Sequence, residues 1–366
     1  MAGRIRSRAG VVAIAAAVAA SSGCWLQVGN GPGHTRANAF EGGLTTATVA
    51  GLHEEWAVPL PGTGSEAMVA DGRVILSWNA GLSAGVRAVD ETTGATVWDR
   101  TLMVVPAQSG ALAAATSPTL VDGTVRTGAA GFLPITRTGP ACVVQTYHLD
   151  PATGFGASIA SAFPSPTAAD GPVVARALLT FPDGCTASPS IVLDVDVAGG
   201  SPARWQAPVP GGPVGTFLPT IVGGRLFLAH GATVDAYAAT GCGAATCPPV
   251  WSRTFDASVS TPMAEATGPL FVPSGGDLLA VDPATGADVW RAPLGGGTGG
   301  ALATGMALAG GTVYVTTTDT SGATGTLLAL PAGGCGAATC APTWTATLAG
   351  APRAPVVAGG VVYASS

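Results

Sequence analysis

A pattern of aspartate, glycine and tryptophan at fixed spacing recurs along this chain and limits it to a repetitive β-structure. Residues 86–98 read VRAVDETTGATVW, and residues 278–290 read LLAVDPATGADVW. In both segments the glycine follows the aspartate by four residues and the tryptophan follows it by eight. A third segment, residues 147–154 (YHLDPATG), keeps the aspartate and the glycine but lacks the tryptophan. Such internal repetition indicates a repeat architecture.

The repeated segment predicts a β-hairpin. A β-rich run ends at the aspartate, whose carboxylate accepts backbone N–H groups in the turn, and the glycine tolerates a positive φ. A second run ends near the tryptophan, which is large enough to fill the space between two sheets. A calcium loop is the alternative, but one carboxylate per turn is too few for calcium. The residues that we assign to this turn and core pattern are Trp56, Asp90, Gly94, Trp98, Asp150, Gly154, Trp205, Trp251, Asp282, Gly286, Trp290 and Trp344.

Two further copies of the hairpin replace the short turn by a ring between two cysteines. The pairs Cys242 and Cys247, and Cys335 and Cys340, each enclose the residues Gly-Ala-Ala-Thr, and a tryptophan follows each ring. We expect each pair to form a disulfide, which stabilises the fold by about 2 kcal/mol on the chain-entropy model. A four-thiolate zinc site is the alternative, but the two rings lie in separate repeats.

The first 24 residues resemble an export signal that leads to a lipid-modified cysteine. Arg4, Arg6 and Arg8 give a positive start, and residues 9–20 form an apolar stretch that is too short to span a bilayer. Residues 21–24 (SSGC) resemble a lipobox, although Ser21 departs from the leucine that is usual there. Ordinary cleavage near residues 17–19 is the alternative.

The cysteine count supports lipidation of Cys24. The chain has 7 cysteines, and an odd number in an exported protein leaves one thiol without a partner. If Cys24 carries a lipid, six remain, and by elimination Cys142 pairs with Cys185. We therefore predict three disulfides and a chain that is extracytoplasmic and attached to the membrane through Cys24.

A second pattern precedes each hairpin and completes the repeating unit. It is a Gly-Gly turn between two short strands, as in residues 219–228, 306–315 and 355–363. Each unit therefore has four strands, and the mean spacing of the repeat position between Trp56 and Trp344 is about 48 residues. This period predicts an all-β fold, a β-propeller of about seven four-stranded blades. Eight blades, or a β-sandwich, are the alternatives.

Six complete units are predicted, and a seventh is partial. Residues 350–366 supply two strands of the seventh, and Glu55–Leu60 is expected to close the ring as its last strand, which would remove an open sheet edge. The domains that follow are a signal peptide at 1–23, an anchor and initial segment at 24–52 and the propeller at 53–366. The complete units lie at about 67–102, 115–163, 164–209, 215–255, 259–294 and 299–348.

These residues resemble the pyrroloquinoline-quinone (PQQ)-like propeller repeat, whose pattern is roughly G-x-V-Y…L-x-A-L-D-x-x-T-G-x-x-x-W. Residues 259–294 match it best, and residues 25–56 resemble the segment with which that family begins. The resemblance covers about residues 25–366 and implies the propeller fold. It implies little about activity, because the family includes quinoprotein dehydrogenases, outer-membrane assembly lipoproteins and kinase sensor domains.

The quinoprotein dehydrogenases of that family hold the quinone against a tryptophan, use a disulfide between adjacent cysteines and place Ca²⁺ on Glu, Asn and Asp. This chain has no adjacent cysteines and three asparagines. We therefore expect no cofactor, neither PQQ nor calcium. No G-x-S-x-G motif occurs, and the histidines lack metal-binding spacing. The four histidines are His34, His53, His148 and His230, of which His148 and His230 lie in or beside predicted strands and are expected to be packed or at a rim.

Charge and composition narrow the partners. The net charge is −6 and no basic patch is visible, so nucleic acid is not expected as a partner. The function that we expect is an exported, lipid-anchored, non-catalytic scaffold that binds a protein or cell-envelope partner. A ligand- or quinone-binding propeller with oxidoreductase activity is the alternative.

Overall fold

The computed structural model describes residues 29–38, 43–108, 111–133, 141–160, 163–164, 168–180, 190–209, 218–295, 302–319 and 321–365. These residues form seven β-sheets and contain no α-helix, and one 3₁₀ turn lies at Val49–Gly51. No helix in this part of the chain is long and apolar enough to cross a membrane. We number the sheets as blades 1 to 7 in the order in which they occur along the chain, leaving aside the short first strand. The first strand of the chain, β1 (Ala37–Asn38), belongs to blade 7.

In blades 1 to 3 the first strand is split into two segments that both pair with the second strand. Blade 1 contains β2 to β6, which are Thr63–Gly64, Met68–Ala70, Arg73–Asn79, Ser83–Asp90 and Thr96–Val104. Blade 2 contains β7 to β11, which are Leu112–Ala115, Thr119–Val121, Thr124–Leu133, Ala141–Leu149 and Gly156–Ala160. Blade 3 contains β12 to β16, which are Phe163–Pro164, Ala168–Asp170, Val173–Thr180, Ser190–Val197 and Arg204–Val209.

Blades 4 and 6 follow the same antiparallel order with an unsplit first strand, and blade 5 follows it without a regular first strand. Blade 4 contains β17 to β20, which are Thr220–Val222, Arg225–His230, Thr233–Ala238 and Trp251–Thr254. Blade 5 contains β21 to β23, which are Leu270–Ser274, Asp277–Val281 and Asp288–Pro293, and single bridges at Val259 and Met263 stand in for its first strand. Blade 6 contains β24 to β27, which are Leu302–Ala309, Thr312–Thr318, Thr324–Pro331 and Trp344–Ala349.

Blade 7 differs from the prediction. It contains β28 (Val356–Ala358) and β29 (Val361–Tyr363), and β1 pairs in parallel with β28. The prediction of a closing strand at Glu55–Leu60 is wrong, since these residues contain no strand. Pro59 lacks the backbone N–H that a strand must donate to its neighbour, which disfavours pairing there.

The hydrophobic core lies between neighbouring blades. Leu193 and Trp205 of blade 3 are buried in one cluster with Tyr237 of blade 4, and similar clusters join blades 4 and 5 and blades 5 and 6. Blades 4 and 5 are covered on both faces by these clusters, and their strands carry apolar or small residues on both sides. This burial explains why charged residues make up 10% of the chain.

Candidate functional site

The tryptophans of the repeat contact the next blade along the chain. Trp98 on β6 lies over Gly154 in blade 2, and its Nε1 donates a hydrogen bond to the carbonyl oxygen of Pro151 at 2.9 Å. We call this combination of a stacked glycine and a carbonyl acceptor the indole contact. The same contact joins Trp56 to Gly94, Trp205 to Gly241, Trp251 to Gly286 and Trp290 to Gly334.

The aspartate of the repeat shapes the turn that receives the indole. Asp150 Oδ1 accepts the N–H of Ala152 at 2.7 Å and that of Thr153 at 2.9 Å. The N–H of Thr153 is the largest cause of a pKa for the Asp150 carboxyl below its ordinary value. Gly154 then adopts a φ of +67°, and a Cβ there would approach the Trp98 ring to 2.6 Å. The turn around Asp90 and the turn around Asp282 have the same bonds.

Both predicted short disulfides are formed, Cys242–Cys247 and Cys335–Cys340, with Cα–Cα distances of 5.6 and 5.7 Å. Each ring also bonds to the preceding blade. Gln206 of blade 3 donates its N–H to Ala245 O at 2.8 Å, and Gln206 O accepts the N–H of Cys247 at 3.0 Å. Arg291 of blade 5 makes the same two bonds with the second ring. The rings therefore connect blades as well as hairpins.

The remaining cysteine predictions cannot be placed on this geometry. Cys24, Cys185 and the side chain of Cys142 lie outside the part of the chain that the structure describes. Lipidation of Cys24 and the Cys142–Cys185 disulfide therefore stay predictions.

A segment near the N-terminus, residues 29–38, bonds to the first strands of four consecutive blades, and we call it the axial segment. Its carbonyl oxygens accept backbone N–H groups at distances of 2.7 to 3.1 Å. Successive carbonyl oxygens along the segment bond to successive blades, in the order 4, 5, 6 and 7. The pairs are Pro32 with Ile221, Gly33 with Ala264, Thr35 with Leu308, and Arg36 with Val357.

The backbone of the axial segment is left-handed at residues that are not glycine. His34 has a φ of 55° and Arg36 a φ of 51°, a conformation that is uncommon for such residues and often marks functional segments. The His34 ring is buried, and its Nε2 lies 2.8 Å from Pro219 O of blade 4. His34 is therefore a packed residue at the centre of this segment.

Arg36 connects the axial segment to blade 1 as well. Its guanidinium forms an ion pair with Glu66, whose Oε2 also accepts the N–H of Gly29 at 3.2 Å. Three cavities adjoin the segment, and one of them, of about 660 Å³, is lined by Arg36 and Glu66. One of about 320 Å³ has Arg36 and Thr304 among its lining residues, and one of about 590 Å³ has Glu265 as its single carboxylate.

A histidine, an aspartate and a serine also meet on blade 4. His230 Nε2 lies 2.9 Å from Asp235 Oδ2, while Ser252 Oγ donates to the other oxygen of the same carboxylate. Burial raises the pKa of Asp235, but the hydrogen bonds from His230, Ser252 and Tyr237 outweigh burial and lower it overall. Since Ser252 and His230 bond to the carboxylate and not to each other, they do not form a nucleophile and base pair.

Sequence reasoning missed a buried ion cluster on blade 3. Asp194 is fully buried, and its carboxylate lies 2.5 Å from Arg176 and 2.6 Å from Arg204. The three charges lie on neighbouring strands and neutralise one another in part, which is typical of structural ion clusters. The sequence offers no local signal for them, because the pairing depends on strand register.

The sixth repeat tryptophan makes no indole contact within the described residues. Trp344 at the start of β27 is 42% exposed, whereas Trp98, which makes the contact, is 5% exposed. Its ring does contact Tyr314 of the same blade, with 6.1 Å between centroids. Within the described ranges, no group of three or more His, Cys, Asp and Glu residues is placed to hold a metal ion.

Successive antiparallel sheets, joined by interface cores and by an indole contact between neighbours, define a β-propeller. Residues 274–366 match the family model described as outer membrane protein assembly factor BamB. This match supports the resemblance to β-propellers with PQQ-like repeats that the sequence predicts. The predicted all-β propeller fold is thereby confirmed, and seven sheets agree with the prediction of about seven blades.

Two solved structures share this fold. The crystal structure of BamB from Moraxella catarrhalis aligns with 81% of this chain and 79% of its own at 18% identity and a TM-score of 0.50. A europium-containing methanol dehydrogenase aligns with 94% of this chain and 82% of its own at 12% identity and a TM-score of 0.58. Identities this low show a common fold and leave activity open. No curated protein matches the chain.

Proposed function

We propose that this chain is an extracytoplasmic β-propeller scaffold that binds a protein or cell-envelope partner and performs no chemistry of its own. The observation that carries the proposal is the match of residues 274–366 to the repeats of an outer membrane protein assembly factor. That description assigns those proteins a part in assembly at the envelope. A rigid propeller presents many loops at fixed positions, which suits a binding role.

An apolar surface on blade 2 supports a binding role. Leu112 and Phe132 are 54% and 38% exposed, and they lie on the neighbouring strands β7 and β9. Leu112 and Phe132 stand directly opposite each other across the strand pair. Contiguous exposed apolar side chains are typical of surfaces that contact another molecule.

The location outside the cytoplasm and the lipid anchor at Cys24 are part of the proposal. The positive and apolar start of the chain and its lipobox-like residues 21–24 support export. The disulfides Cys242–Cys247 and Cys335–Cys340 support it too, because such bonds persist in oxidising compartments. Intact-mass spectrometry of the mature protein tests this part. A mature chain that begins at Cys24 and carries the added mass of a lipid, which is absent from Cys24→Ser, supports the anchor. A chain that is cleaved near residues 17–19 and carries no added mass contradicts it.

Partner capture tests the scaffold role. A tagged chain is crosslinked in its native cells and purified from a detergent extract, with an unrelated tagged lipoprotein as the control. We expect a specific protein or envelope component to copurify with this chain and to be reduced by Phe132→Ser, which removes an exposed ring without opening the core. Recovery of nothing beyond the control would contradict the scaffold role.

A quinone-binding oxidoreductase is the second candidate, since a methanol dehydrogenase shares the fold over most of the chain. Among the described residues, the cavities beside the axial segment contain one carboxylate each at most, and Glu66 is already paired with Arg36. Calcium sites use six to eight oxygen ligands, commonly including several carboxylates, so this small number of carboxylates favours the scaffold over a calcium and quinone centre. Dye-linked oxidation of alcohols or sugars after addition of PQQ and Ca²⁺ would overturn the non-catalytic proposal.

A further inference from the structure

One row of side chains is apolar or aromatic in five blades and charged in blade 2. Strand register defines this row, which crosses the second, third and last strands of a blade. In blade 1 it contains Ile75, Ala88 and Trp98, which pair in this order and are buried in one cluster. The equivalent rows of blades 3 to 6 are Ala175, Val195 and Trp205; Phe227, Ala236 and Trp251; Phe271, Ala280 and Trp290; and Tyr314, Ala329 and Trp344. In blade 2 the row consists of Arg126, His148 and Ala157.

Arg126 and His148 face blade 3. Their neighbours along the strands, Val125 and Leu149, are buried in one cluster with Trp98 of blade 1. Because successive side chains of a strand point to opposite faces, Arg126 and His148 point away from blade 1. The first strand segment of blade 3, β12, contacts both β9 and β10, so blade 3 adjoins this face.

The facing side of blade 3 is charged as well. Ala175, Val195 and Trp205 pack in one cluster with residues of blade 4, so the residues that alternate with them face blade 2. The charged residues among these are Arg176, Asp194, Asp196 and Arg204. Together with Arg126 and His148 we call them the charged interface.

The charges of the two blades lie close enough to act on one another. The pKa of His148 is below its ordinary value, because of burial first and then because of Arg126 and Arg176. Asp196 of blade 3 acts on the His148 pKa in the opposite direction. The contact between blades 2 and 3 is therefore polar where the equivalent contacts are filled by apolar side chains and an indole.

The carboxylates of the charged interface are already matched by arginines of their own blade. Asp194 lies 2.5 Å from Arg176 and 2.6 Å from Arg204. Asp196 lies 2.9 Å from Arg176 and 4.0 Å from Arg204. Two negative charges thus face two positive ones, and the charge of Arg126 is left over.

Arg126 has no counterion within the described part of the chain. It forms no ion pair there, and its Nε is buried without a hydrogen-bond partner. Burial is the largest cause of a pKa for Arg126 below its ordinary value, followed by the repulsion of Arg176. The attraction of Asp196 and of Asp122, in the turn before β9, does not offset these two effects. A half-buried guanidinium without a partner is costly, and an anion between the blades would remove that cost.

We propose that the charged interface binds a phosphate group between blades 2 and 3, held by Arg126 and His148. The planar fork of an arginine fits two oxygens of a phosphate. A phosphate monoester carries a charge of about −1.5 to −2 near neutral pH, which matches Arg126 together with a protonated His148. A carboxylate would match Arg126 alone. This inference goes beyond the scaffold role and does not depend on it.

The charged interface is open to solvent on one side. The side chain of Arg204 is 55% exposed, whereas that of Asp194 is fully buried. The row of blade 2 ends in Ala157, so it supplies no indole to the next blade. In the turn after β15, a Cβ at Gly199 would accordingly meet nothing within 4 Å, whereas at Gly154 it would meet the Trp98 ring. A small phosphate compound can therefore approach from the turn side of the interface.

Calorimetric titration of the purified mature chain with inorganic phosphate tests the proposal, and glycerol 3-phosphate separates a phosphate ester from the free ion. We expect saturable binding of a single phosphate. Arg126→Met should weaken it at least about tenfold, because it removes the charge and keeps the length of the side chain. The free energy of unfolding should not fall, since Arg126 has no partner to lose. The control Arg225→Met removes a half-buried arginine from β18 of blade 4 and should change the affinity less than about twofold.

The His148 ring gives a second readout that leaves the protein unchanged. Its NMR signal is the one missing from His148→Gln. Without phosphate its titration midpoint should lie below the ordinary value of 6.5, because burial, Arg126 and Arg176 disfavour the charged ring. Saturating phosphate should raise the midpoint, because a bound anion favours the protonated ring. Asp196 favours that form in both conditions and does not alter the direction of the change.

Absence of saturable binding, or an equal loss of affinity in Arg126→Met and Arg225→Met, would overturn the inference. A His148 midpoint that phosphate does not move would also overturn it, and this readout stands even if Arg126→Met fails to fold. Acetate that binds as tightly as phosphate would contradict the assignment to a phosphate group. Tighter binding of glycerol 3-phosphate would assign the site to an ester, and tighter binding of inorganic phosphate to the free ion, and either result supports the site. Failure of partner capture would contradict the scaffold role and leave this site standing.

Discussion

Trp98 of blade 1 covers the α-carbon of Gly154 in blade 2, so one side chain takes part in both a turn and an interface between blades. The φ of +67° at Gly154 and the 2.6 Å that would separate a Cβ from the ring make glycine necessary for two independent reasons. The glycine of the repeat is thus a requirement of packing between blades as well as of the hairpin.

The first prediction separates these two reasons. Gly154→Ala should lower the free energy of unfolding by about 2–4 kcal/mol, because a strained backbone and an overpacked ring both contribute. Gly123→Ala is the matched control, since Gly123 has a φ of +70° and nothing within 4 Å of its Cβ position. It should cost about 1 kcal/mol. Denaturant unfolding measures both, and equal losses would show that the indole contact contributes nothing.

The second prediction concerns the disulfide rings. The double substitution Cys242→Ala with Cys247→Ala should destabilise the protein by about 2 kcal/mol on the chain-entropy model, and reduction, which opens both short rings, by about 4 kcal/mol or more. Because Gln206 bonds to the first ring, its amide should exchange faster after reduction. Hydrogen exchange measures this change, and the amide of Asp99 is the control, because Asp99 follows Trp98 as Gln206 follows Trp205 and the turn that Trp98 contacts has no disulfide ring. An unchanged rate at Gln206 would show that the ring does not hold the two blades together.

The third prediction tests the axial segment. A Cβ at Gly33 would lie 2.0 Å from Ala264 O, so Gly33→Ala should detach the segment from blade 5. Trypsin should then cleave after Arg36 about ten to a hundred times faster, because the steric overlap of the new Cβ with Ala264 O favours local opening of the axial segment. Gly51→Ala, with open space at its Cβ position, should leave cleavage unchanged. Resistance of the Gly33→Ala chain would contradict the role of this segment in joining the blades.

The fourth prediction concerns the hairpin between β25 and β26. The Thr324 hydroxyl is the largest cause of a low Asp319 pKa, and with Ser321 and the N–H of Ala323 it lowers that pKa to about 2. Because the pKa is lower in the folded protein, this stabilisation is present above the ordinary carboxyl pKa, about 3.9, and is lost as pH falls through about 2. An NMR titration of the Asp319 carboxyl group should give a midpoint near pH 2 in the unchanged chain and at a higher pH in Thr324→Ala. Thr312→Ala, at the far end of β25, is the control. A midpoint at the ordinary value in the unchanged chain would contradict the hydrogen-bonded turn.

The turns and the blade units could be predicted from the sequence because their determinants are local. Asp282 and Gly286 lie four residues apart, and their bonds form within one hairpin. The two short disulfides are equally local. The tryptophans were expected to fill space between sheets, but the glycine beneath each ring lies in another repeat and could be identified only from the folded chain.

The axial segment and blade 7 depend on contacts between distant residues, which no local pattern encodes. Pro32 bonds to Ile221, and β1 pairs in parallel with β28. The prediction instead used the nearest candidate, Glu55–Leu60, as the closing strand. Its tryptophan, Trp56, does reach the blade 1 turn at Gly94, so the repeat position was right although the strand was not.

The axial segment also sets an order of events for folding. Its residues are synthesised early. The N–H groups that bond to its carbonyl oxygens belong to residues synthesised much later, namely Ile221, Ala264, Leu308 and finally Val357. Closing loops of this length costs entropy before any contact repays it, so such topologies fold slowly. The axial segment, although synthesised before the blades that it joins, is therefore among the last parts to become fixed. Until then the inner edges of blades 4 to 7 stay open, which makes the incomplete ring the state most exposed to aggregation and proteolysis.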